Sequence, residues 1–298
     1  MLERITNKLS LVQGKNNGRF PYSHSILIFD QKRPTLIDTG CGIDILKDIR
    51  KKYEISCIVN SHTHPDHSAG NWLFKTDQVS IHEPEEGIDT SGNIFALSER
   101  LAEPGELATY WRRFAASTMD FADCNPTHSY DEKTIFEFGD VILEPVHTPG
   151  HTADHYCFYE PNDGILFAFD YDLTSFGPWY GHRESSIPDF KKSIEKIKQL
   201  DIKILVSGHK GIINGNISDQ INRFSKKFDE RDQKIIELLQ SENRTIDQLV
   251  EKAPIYGQYP YAEPLLRYWE EQMITKHLVE LEKQEKIAKE KNGKFSVK

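Results

Sequence analysis

Residues 61–67 constrain this chain more than any other feature of its sequence. They read Ser-His-Thr-His-Pro-Asp-His and directly follow the apolar residues 55–60. In α/β sheets, ligands commonly bind where strands end, because the loops converge there while the strands hold them rigidly. Imidazole and carboxylate groups suit Zn²⁺, Fe²⁺ or Mn²⁺. The spacing therefore predicts a metal site at the end of a buried strand, with a solvated loop as the alternative.

The apolar pattern around this segment predicts an α/β fold. Short strands are expected throughout residues 3–38, and apolar runs between turn residues indicate further strands downstream. The clearest predicted strands are residues 23–29, 35–39, 55–60, 134–138, 141–146, 155–159, 165–169 and 202–206. Apolar residues at helical spacing predict helices over residues 43–52 and near residues 188–200.

Two regions depart from this pattern. Residues 83–131 are polar and rich in aromatic residues, with a helical stretch at residues 106–117, and indicate an insertion over the site. After about residue 216, helices are predicted at residues 218–240, 245–252 and 264–285. The end of the chain resembles the last helix and β-wing of a winged-helix module. We therefore predict a catalytic domain, residues 1–216, and a C-terminal helical, winged-helix-like domain, residues 217–298.

The motif HxHxDH, present here at residues 62–67, is the hallmark of the metallo-β-lactamase superfamily, which the chain resembles over roughly residues 3–215. Four other segments match motifs of that family in the same order. They are Leu-Ile-Asp-Thr-Gly at 36–40, Thr-Pro-Gly-His-Thr at 148–152, Ile-Leu-Phe-Ala-Phe-Asp at 165–170 and Ser-Gly-His at 207–209. The resemblance implies an αββα sandwich, in which two mixed β-sheets are flanked by helices, with the C-terminal addition attached.

The resemblance also implies two divalent metal ions, with Zn²⁺ expected and Fe²⁺ or Mn²⁺ as alternatives. The implied ligands are His62, His64 and His151 for one ion, Asp66, His67 and His209 for the other, and Asp170 as the bridge between them. Asp38 would orient a ligand, and Asp66 would also accept or relay a proton. Asp172 is the alternative to Asp170 as the bridging ligand. Asp170 is preferred because it directly ends the apolar strand. Phe169 stands where many relatives have glycine, and would crowd the site or pack against the insertion.

The predicted reaction is hydrolysis. Two cations about 3.5–4 Å apart can share one water, lower its pKa and present a bridging hydroxide to an electrophile. A small ester or thioester is the expected substrate. Residues 148–159 resemble the glyoxalase II branch, but no basic cluster for glutathione is recognisable near the C-terminus. Trp179 and Tyr180 follow the expected bridging aspartate closely and are candidates for substrate contacts, with core packing as the alternative.

Two other functions stay open at this point. A phosphodiesterase or ribonuclease acting on nucleic acid fits the winged-helix-like end, but the net charge of −9 would repel a polyanion. A non-hydrolytic di-iron oxygen or redox protein is the other alternative. Flavin-linked members of that kind typically carry glutamate at the position of His64.

Composition indicates the class of protein and its expected cellular location. With 38% hydrophobic and 28% charged residues, it is typical of a globular protein with an apolar core. Residues 1–14 do not resemble a secretory signal, and no stretch suggests a membrane span. The four cysteines form no CxxC pair, so a thiolate zinc site is not indicated and a cytoplasmic location is expected. The C-terminal part is expected to pack on the catalytic domain or to form a homodimer.

Overall fold

Two β-sheets packed face to face carry the predicted metal-binding segments. The computed structural model describes residues 2–29 and 34–298, so residues 30–33 of the expected strand region lie outside the described residues. The first sheet contains, side by side in chain order, β1 (Leu2–Arg4), β2 (Leu9–Val12), β3 (Ser25–Ile28), β4 (Thr35–Ile37), β5 (Cys57–Val59), β6 (Ser80–Pro84) and β7 (His128–Tyr130). Pairing is antiparallel from β1 to β4 and parallel from β4 to β7.

The second sheet is also mixed. Its strands are β8 (Phe136–Phe138), β9 (Val141–His147), β10 (Tyr156–Glu160), β11 (Ile165–Phe169), β12 (Ile204–Ser207) and β13 (Gly211–Asn214). They lie in the order β13, β12, β11, β10, β9, β8, and only the pair β11 and β12 is parallel within the described residues. β6, β7 and β13 were not predicted from the sequence, because these short strands carry polar residues that break the apolar pattern.

Strand alternation builds the sandwich. In β3, Ile26 and Ile28 face the core between the sheets, whereas Leu27 faces the opposite side. In β11, Phe167 enters the same central core and Leu166 faces outward. Because side chains alternate across a strand, each apolar strand can pack against the other sheet and against a helix layer at once.

The outer layers are helices at the predicted places. α1 (Ile43–Lys52) buries Leu46 and Ile49 against the first sheet. α5 (Ile187–Ile197) packs on the outer face of the second sheet and buries Phe190 and Ile194 there. The Ser186 side chain caps its first turn by accepting from the backbone N–H of Asp189. The expected αββα sandwich, two mixed sheets flanked by helices, is confirmed.

Residues between β6 and β7 form the region expected as an insertion. They include α3 (Ile94–Leu101) and α4 (Glu106–Thr118). The short helix α2 (Pro65–Ser68) lies earlier in the chain, between β5 and β6. α4 matches the predicted helical stretch. It packs against α3 and against the C-terminal part of the chain through a shared apolar cluster that includes Trp111 and Trp269.

The C-terminal part contains α6 (Ile217–Ser241), α7 (Ile246–Val250), α8 (Glu263–Lys283), β14 (Ile287–Lys289) and β15 (Phe295–Val297). β14 and β15 pair antiparallel, and Arg244 forms an isolated antiparallel β-bridge with Phe295 of β15. Phe228 and Met273 join the core beneath α5, so these helices share apolar cores with the sandwich. The division at residue 216 remains a prediction. Within the described residues, no helix is long and apolar enough to cross a membrane.

Candidate metal centre

The fold brings the predicted ligand segments to one edge of the sandwich. β4 and β5 are parallel, so the segments after them, which carry Asp38 and residues 61–67, emerge at the same end of the first sheet. β11 and β12 are parallel too, and Asp170 and His209 follow their ends in the second sheet. The turn between β9 and β10 adds His151. Loops from both sheets therefore converge, as the sequence pattern predicts.

The predicted ligands form two adjoining groups of donor atoms. Within each group, the atoms lie within 4.8 Å of one another. The groups are His62, His64, His151 and Asp170, and Asp66, His67 and His209. Asp170 Oδ2 lies 3.1 Å from His151 Nε2, whereas Asp170 Oδ1 lies 2.8 Å from His67 Nε2 and 3.2 Å from His209 Nε2. One oxygen thus faces each group, which is the placement that a bridging carboxylate needs.

Two of the predicted histidine ligands have a backbone carbonyl partner on the side of the ring that faces away from the centre. His151 Nδ1 lies 3.0 Å from the Trp179 carbonyl oxygen, and His209 Nδ1 lies 2.6 Å from that of Gly18. A carbonyl oxygen only accepts, so each Nδ1 is the donor, and the ring would present its Nε2 lone pair toward the centre when a metal ion binds. His62 Nε2 is buried and has no hydrogen-bond partner among the described residues. This donor set fits divalent metal ions held by imidazole and carboxylate.

Asp38 supports the second group from behind. Its carboxylate is fully buried and accepts from His67 Nδ1 at 2.6 Å. It also accepts from the backbone N–H and the hydroxyl of Ser61, at 2.8 and 2.9 Å. The Ser61 hydroxyl lies 3.0 Å from His62 Nδ1. One carboxylate is thereby linked to a histidine of each group, directly to His67 and through Ser61 to His62.

Electrostatics favour cations at this centre. Burial would raise the pKa of Asp170, but His67, His209 and His151 outweigh it and hold that pKa well below its usual value. Burial likewise opposes protonation of His209, yet Asp170 and Asp66 raise its pKa to about 9. Burial and neighbouring imidazoles lower the pKa of His62 well below its usual value. The carboxylates that attract protons to His209 would attract a metal ion in the same way, with protons released on binding.

Comparison with known proteins agrees with this geometry. Residues 18–209 match the family model of the metallo-beta-lactamase superfamily. The chain belongs to this superfamily. Its relatives include hydrolases, and it is a metal-dependent hydrolase of the metallo-β-lactamase superfamily. The resemblance drawn from the five sequence motifs is confirmed.

Two curated relatives and one solved structure illustrate the likeness. The lactamase-like protein aptB of Emericella nidulans is 26% identical over 79% of this chain and 67% of its own length. The human acyl-coenzyme A thioesterase MBLAC2 is 26% identical over 58% of this chain and 66% of its own length. The chain thus spans about two thirds of these relatives. A metallo-beta-lactamase family protein from Thermus thermophilus shares the fold, with a TM-score of 0.77, 18% identity and coverage of 99% and 100% of the two chains.

Two residues next to the superfamily motif at β11 now have definite places. Asp172 belongs to neither ligand group; its Oδ1 accepts from the backbone N–H of Thr174 at 3.0 Å, and burial raises its pKa to about 6. Phe169 does not line the cleft, but its ring lies 6.4 Å from that of His67. Its ring enters the core between the sheets, 5.7 Å from that of Phe158. Phe169 has a φ of 46°, a left-handed conformation that glycine adopts without strain.

Of the two residues expected to contact substrate, only Trp179 lines the cleft of this metallo-β-lactamase superfamily member. Trp179 lines the cleft over the centre, with its ring 5.4 Å from that of His151. Tyr180 does not line it. Its side chain is fully buried, and its hydroxyl lies 2.6 Å from His277 Nε2 and accepts from Arg231 at 2.9 Å. The expectation of a substrate contact by Tyr180 is corrected to the alternative, a packing role.

His182 is a cleft residue that sequence reasoning missed. It is buried, its ring lies 4.6 Å from that of His64, and its Nδ1 donates to the Leu101 carbonyl at 2.9 Å. Nothing in its sequence neighbourhood resembles a ligand motif, because its partners come from the insertion and from residues 61–67. Its position became recognisable only when distant segments were brought together.

The cleft above the centre has a volume of about 810 Å³. Its floor includes His64, Asp66, His151, Asp170 and His209. One side is apolar and is called here the apolar wall: Phe20, Trp111, Phe114, Met119, Leu266 and Trp269. Another part of the lining is basic and is called the cationic strip: Lys210, Arg223 and Lys227. The insertion and the C-terminal helices thus both shape the cleft.

Proposed function

We propose that the chain hydrolyses acyl thioesters with an apolar acyl group. The observation that supports this proposal most strongly is that the apolar wall and the predicted metal ligands line the same cleft. A volume of about 810 Å³ lies within the roughly 300–1,000 Å³ common for small-molecule sites. The likeness to the human acyl-coenzyme A thioesterase MBLAC2 supports the same substrate class.

The apolar wall is continuous with the centre through its aromatic rings. Trp179 lies 6.1 Å from the ring of His64 and 5.4 Å from that of Trp269. Phe20 then contacts both Trp269, at 6.0 Å, and Phe114, at 5.9 Å. An acyl chain whose carbonyl lies at the centre would gain about 0.8 kcal/mol for each methylene buried against these rings. A polar acyl group such as lactoyl would gain little there.

Zn²⁺ in both sites is the proposed state, with the seven residues of the two groups as ligands. Bound ions would supply Lewis acidity toward the acyl carbonyl and would lower the pKa of a water molecule. Asp38 would keep His67 Nε2 directed at the centre through its own Oδ2. Asp66 Oδ2, 3.7 Å from His209 Nε2, would accept the proton of the water. A thiol has a pKa of about 8.5, so the leaving thiolate needs little protonation near neutral pH.

The nucleic-acid alternative gains no support from the C-terminal part. A winged-helix module that reads a groove needs an exposed face on its recognition helix. Here α8, the last helix before the wing, buries Leu266 and Trp269 on the cleft side and Ile274 and Leu278 in its own small core. Both sides of the helix are therefore occupied by protein.

Acyl transfer to water can be tested with S-octanoyl and S-acetyl N-acetylcysteamine, following thiol release by the zinc-loaded protein. We expect turnover of both thioesters, with at least a roughly tenfold lower KM for the octanoyl substrate because its methylenes are buried. His62→Ala should abolish turnover. Cleavage of single-stranded RNA without thioester turnover would contradict the proposal, as would an iron pair with visible absorption in place of zinc.

The wall itself can be tested with Phe114→Ala. Loss of this ring should raise KM for the octanoyl thioester and leave the acetyl KM unchanged, since only the longer chain reaches it. Phe95→Ala is the matched control, because Phe95 is 63% exposed on α3 and does not line the cleft. Equal effects of the two substitutions would show that Phe114 has no specific contact with the acyl chain.

A further inference from the structure

The cationic strip is one continuous surface of the cleft. Gln220, Arg223 and Lys227 lie on one face of α6, at the helical spacings of three and four residues. Lys210 is attached to this face, because its Nζ donates to Gln220 Oε1 at 3.1 Å and to the Leu173 carbonyl at 2.9 Å. Three positive side chains are thereby aligned along one part of the cleft lining.

Two of these charges are left for a ligand. In the described parts of the chain, Lys227 pairs with Glu230, whereas Lys210 and Arg223 form no ion pair. Arg223 and Lys210 are both exposed at the cleft. In a chain with a net charge of −9, unpaired cations aligned in a cleft favour an anionic ligand there. Arginine in particular suits phosphate, because its guanidinium can donate two parallel hydrogen bonds.

The strip and the apolar wall adjoin different ligand groups. Lys210 directly follows His209, which belongs to the second group. Trp179, which leads to the wall, contacts His64 and His151 of the first group. The Lys210 end of the strip thus adjoins one ligand group, and the side of the cleft that leads to the apolar wall adjoins the other. A substrate that spans the cleft would have an apolar end, a reactive bond in the middle and an anionic end.

We propose that the cationic strip binds the phosphate groups of coenzyme A, the carrier half of the thioester. This inference rests on the proposed thioesterase function and deepens it. Coenzyme A carries a diphosphate and a 3′-phosphate beyond its pantetheine arm, which matches several aligned cations better than the two carboxylates of glutathione do. The acyl group lies against the apolar wall, and the thioester carbonyl lies at the centre.

The test compares carriers that bear the same octanoyl group and differ in phosphate content. The series is octanoyl-N-acetylcysteamine without phosphate, octanoyl-phosphopantetheine with one, and octanoyl-coenzyme A. We expect KM to fall along the series and the KM for octanoyl-coenzyme A to rise with ionic strength. Arg223→Met should raise that KM about fivefold to tenfold with little change in kcat, since one charged contact at an exposed position is lost. It should leave octanoyl-N-acetylcysteamine unaffected.

Lys226→Met is the matched control. Lys226 is an exposed residue of α6 that does not line the cleft, and its loss removes the same charge. Equal effects of the two substitutions would overturn the proposal, because they would indicate a long-range charge effect only. Equal KM values for octanoyl-phosphopantetheine and octanoyl-coenzyme A would also overturn it. That result would favour a phosphopantetheine-bearing carrier protein as the source of the substrate.

A binding measurement separates this proposal from the proposed function. Free coenzyme A is titrated by calorimetry into the zinc-loaded protein and its Arg223→Met and Lys226→Met variants. Weaker binding by Arg223→Met alone supports the strip, whether or not any thioester is turned over. Turnover of octanoyl-N-acetylcysteamine without coenzyme A binding would overturn the strip and leave the thioesterase function standing.

Discussion

Among single residues, Asp38 shows how a side chain that is not itself a metal ligand can determine the centre. It has a φ of 58°, a left-handed conformation that costs a non-glycine residue roughly 1–3 kcal/mol. The conformation is retained because the backbone N–H donates to the Val59 carbonyl at 3.0 Å while the carboxylate faces Ser61 and His67. The strained residue thus connects the end of β4 to the segment after β5.

Asp38→Asn should weaken metal binding more than folding. An amide can retain one acceptor for the Ser61 N–H, but its NH₂ group cannot accept from His67 Nδ1. We expect zinc affinity at the second group to fall about 10–100-fold, with a parallel loss of kcat. Zinc retained after dialysis against a buffered chelator measures this. Asp48→Asn, an exposed change on α1, should retain the full zinc content, and equal losses would contradict the orienting role.

Contacts between residues far apart in the sequence were the ones that the sequence did not predict. Asp170 was identifiable because it ends an apolar strand within a recognisable motif. Tyr180 was misplaced because its partners, Arg231 and His277, lie about 50 and 100 residues further along the chain. His182 was missed for the same reason. Motifs report local ligand geometry, but they do not report which distant side chains close the cleft.

Among the elements, the loop after β11 is held by both long C-terminal helices. Arg231 of α6 donates to the Phe176 carbonyl at 2.7 Å and also to the Pro178 carbonyl. His277 of α8 lies between the Tyr180 hydroxyl and Asp232, at 2.6 Å from each. The same loop presents the Trp179 carbonyl to His151 Nδ1. The C-terminal helices therefore set the orientation of a predicted metal ligand.

Arg231→Met should lower both stability and metal affinity. It leaves two backbone carbonyls and a buried hydroxyl without their donor, at roughly 1–3 kcal/mol for each group that stays unsatisfied. The midpoint of thermal unfolding should fall, and zinc bound by the first group should decrease as His151 loses its anchor. Arg223→Met, on the same helix but exposed, should leave both unchanged. A fall in stability with full zinc content would limit Arg231 to a structural role.

Over the whole molecule, the C-terminal part completes a core and a cleft that the sandwich begins. Phe224, Phe228 and Met273 pack beneath α5, while Leu266 and Trp269 pack against α4. The motifs predicted the sandwich and the ligand order because those depend on short segments with fixed spacing. They could not predict this packing, because an apolar stripe on a helix does not identify its partner. The shared cores also explain why a boundary at residue 216 is hard to draw from structure alone.

These shared cores predict that the chain unfolds as one unit, and that metal removal destabilises all of it. A ligand that binds only the folded state stabilises by about 4 kcal/mol at 1,000 times its dissociation constant. For a chain of this size, chelation should lower the unfolding midpoint by roughly 5–15 °C. Circular dichroism of the α-helices and fluorescence of the tryptophans, followed together, should show a single transition with and without chelator. Two separated transitions, with only one moved by chelation, would show that the C-terminal part folds independently of the metal centre.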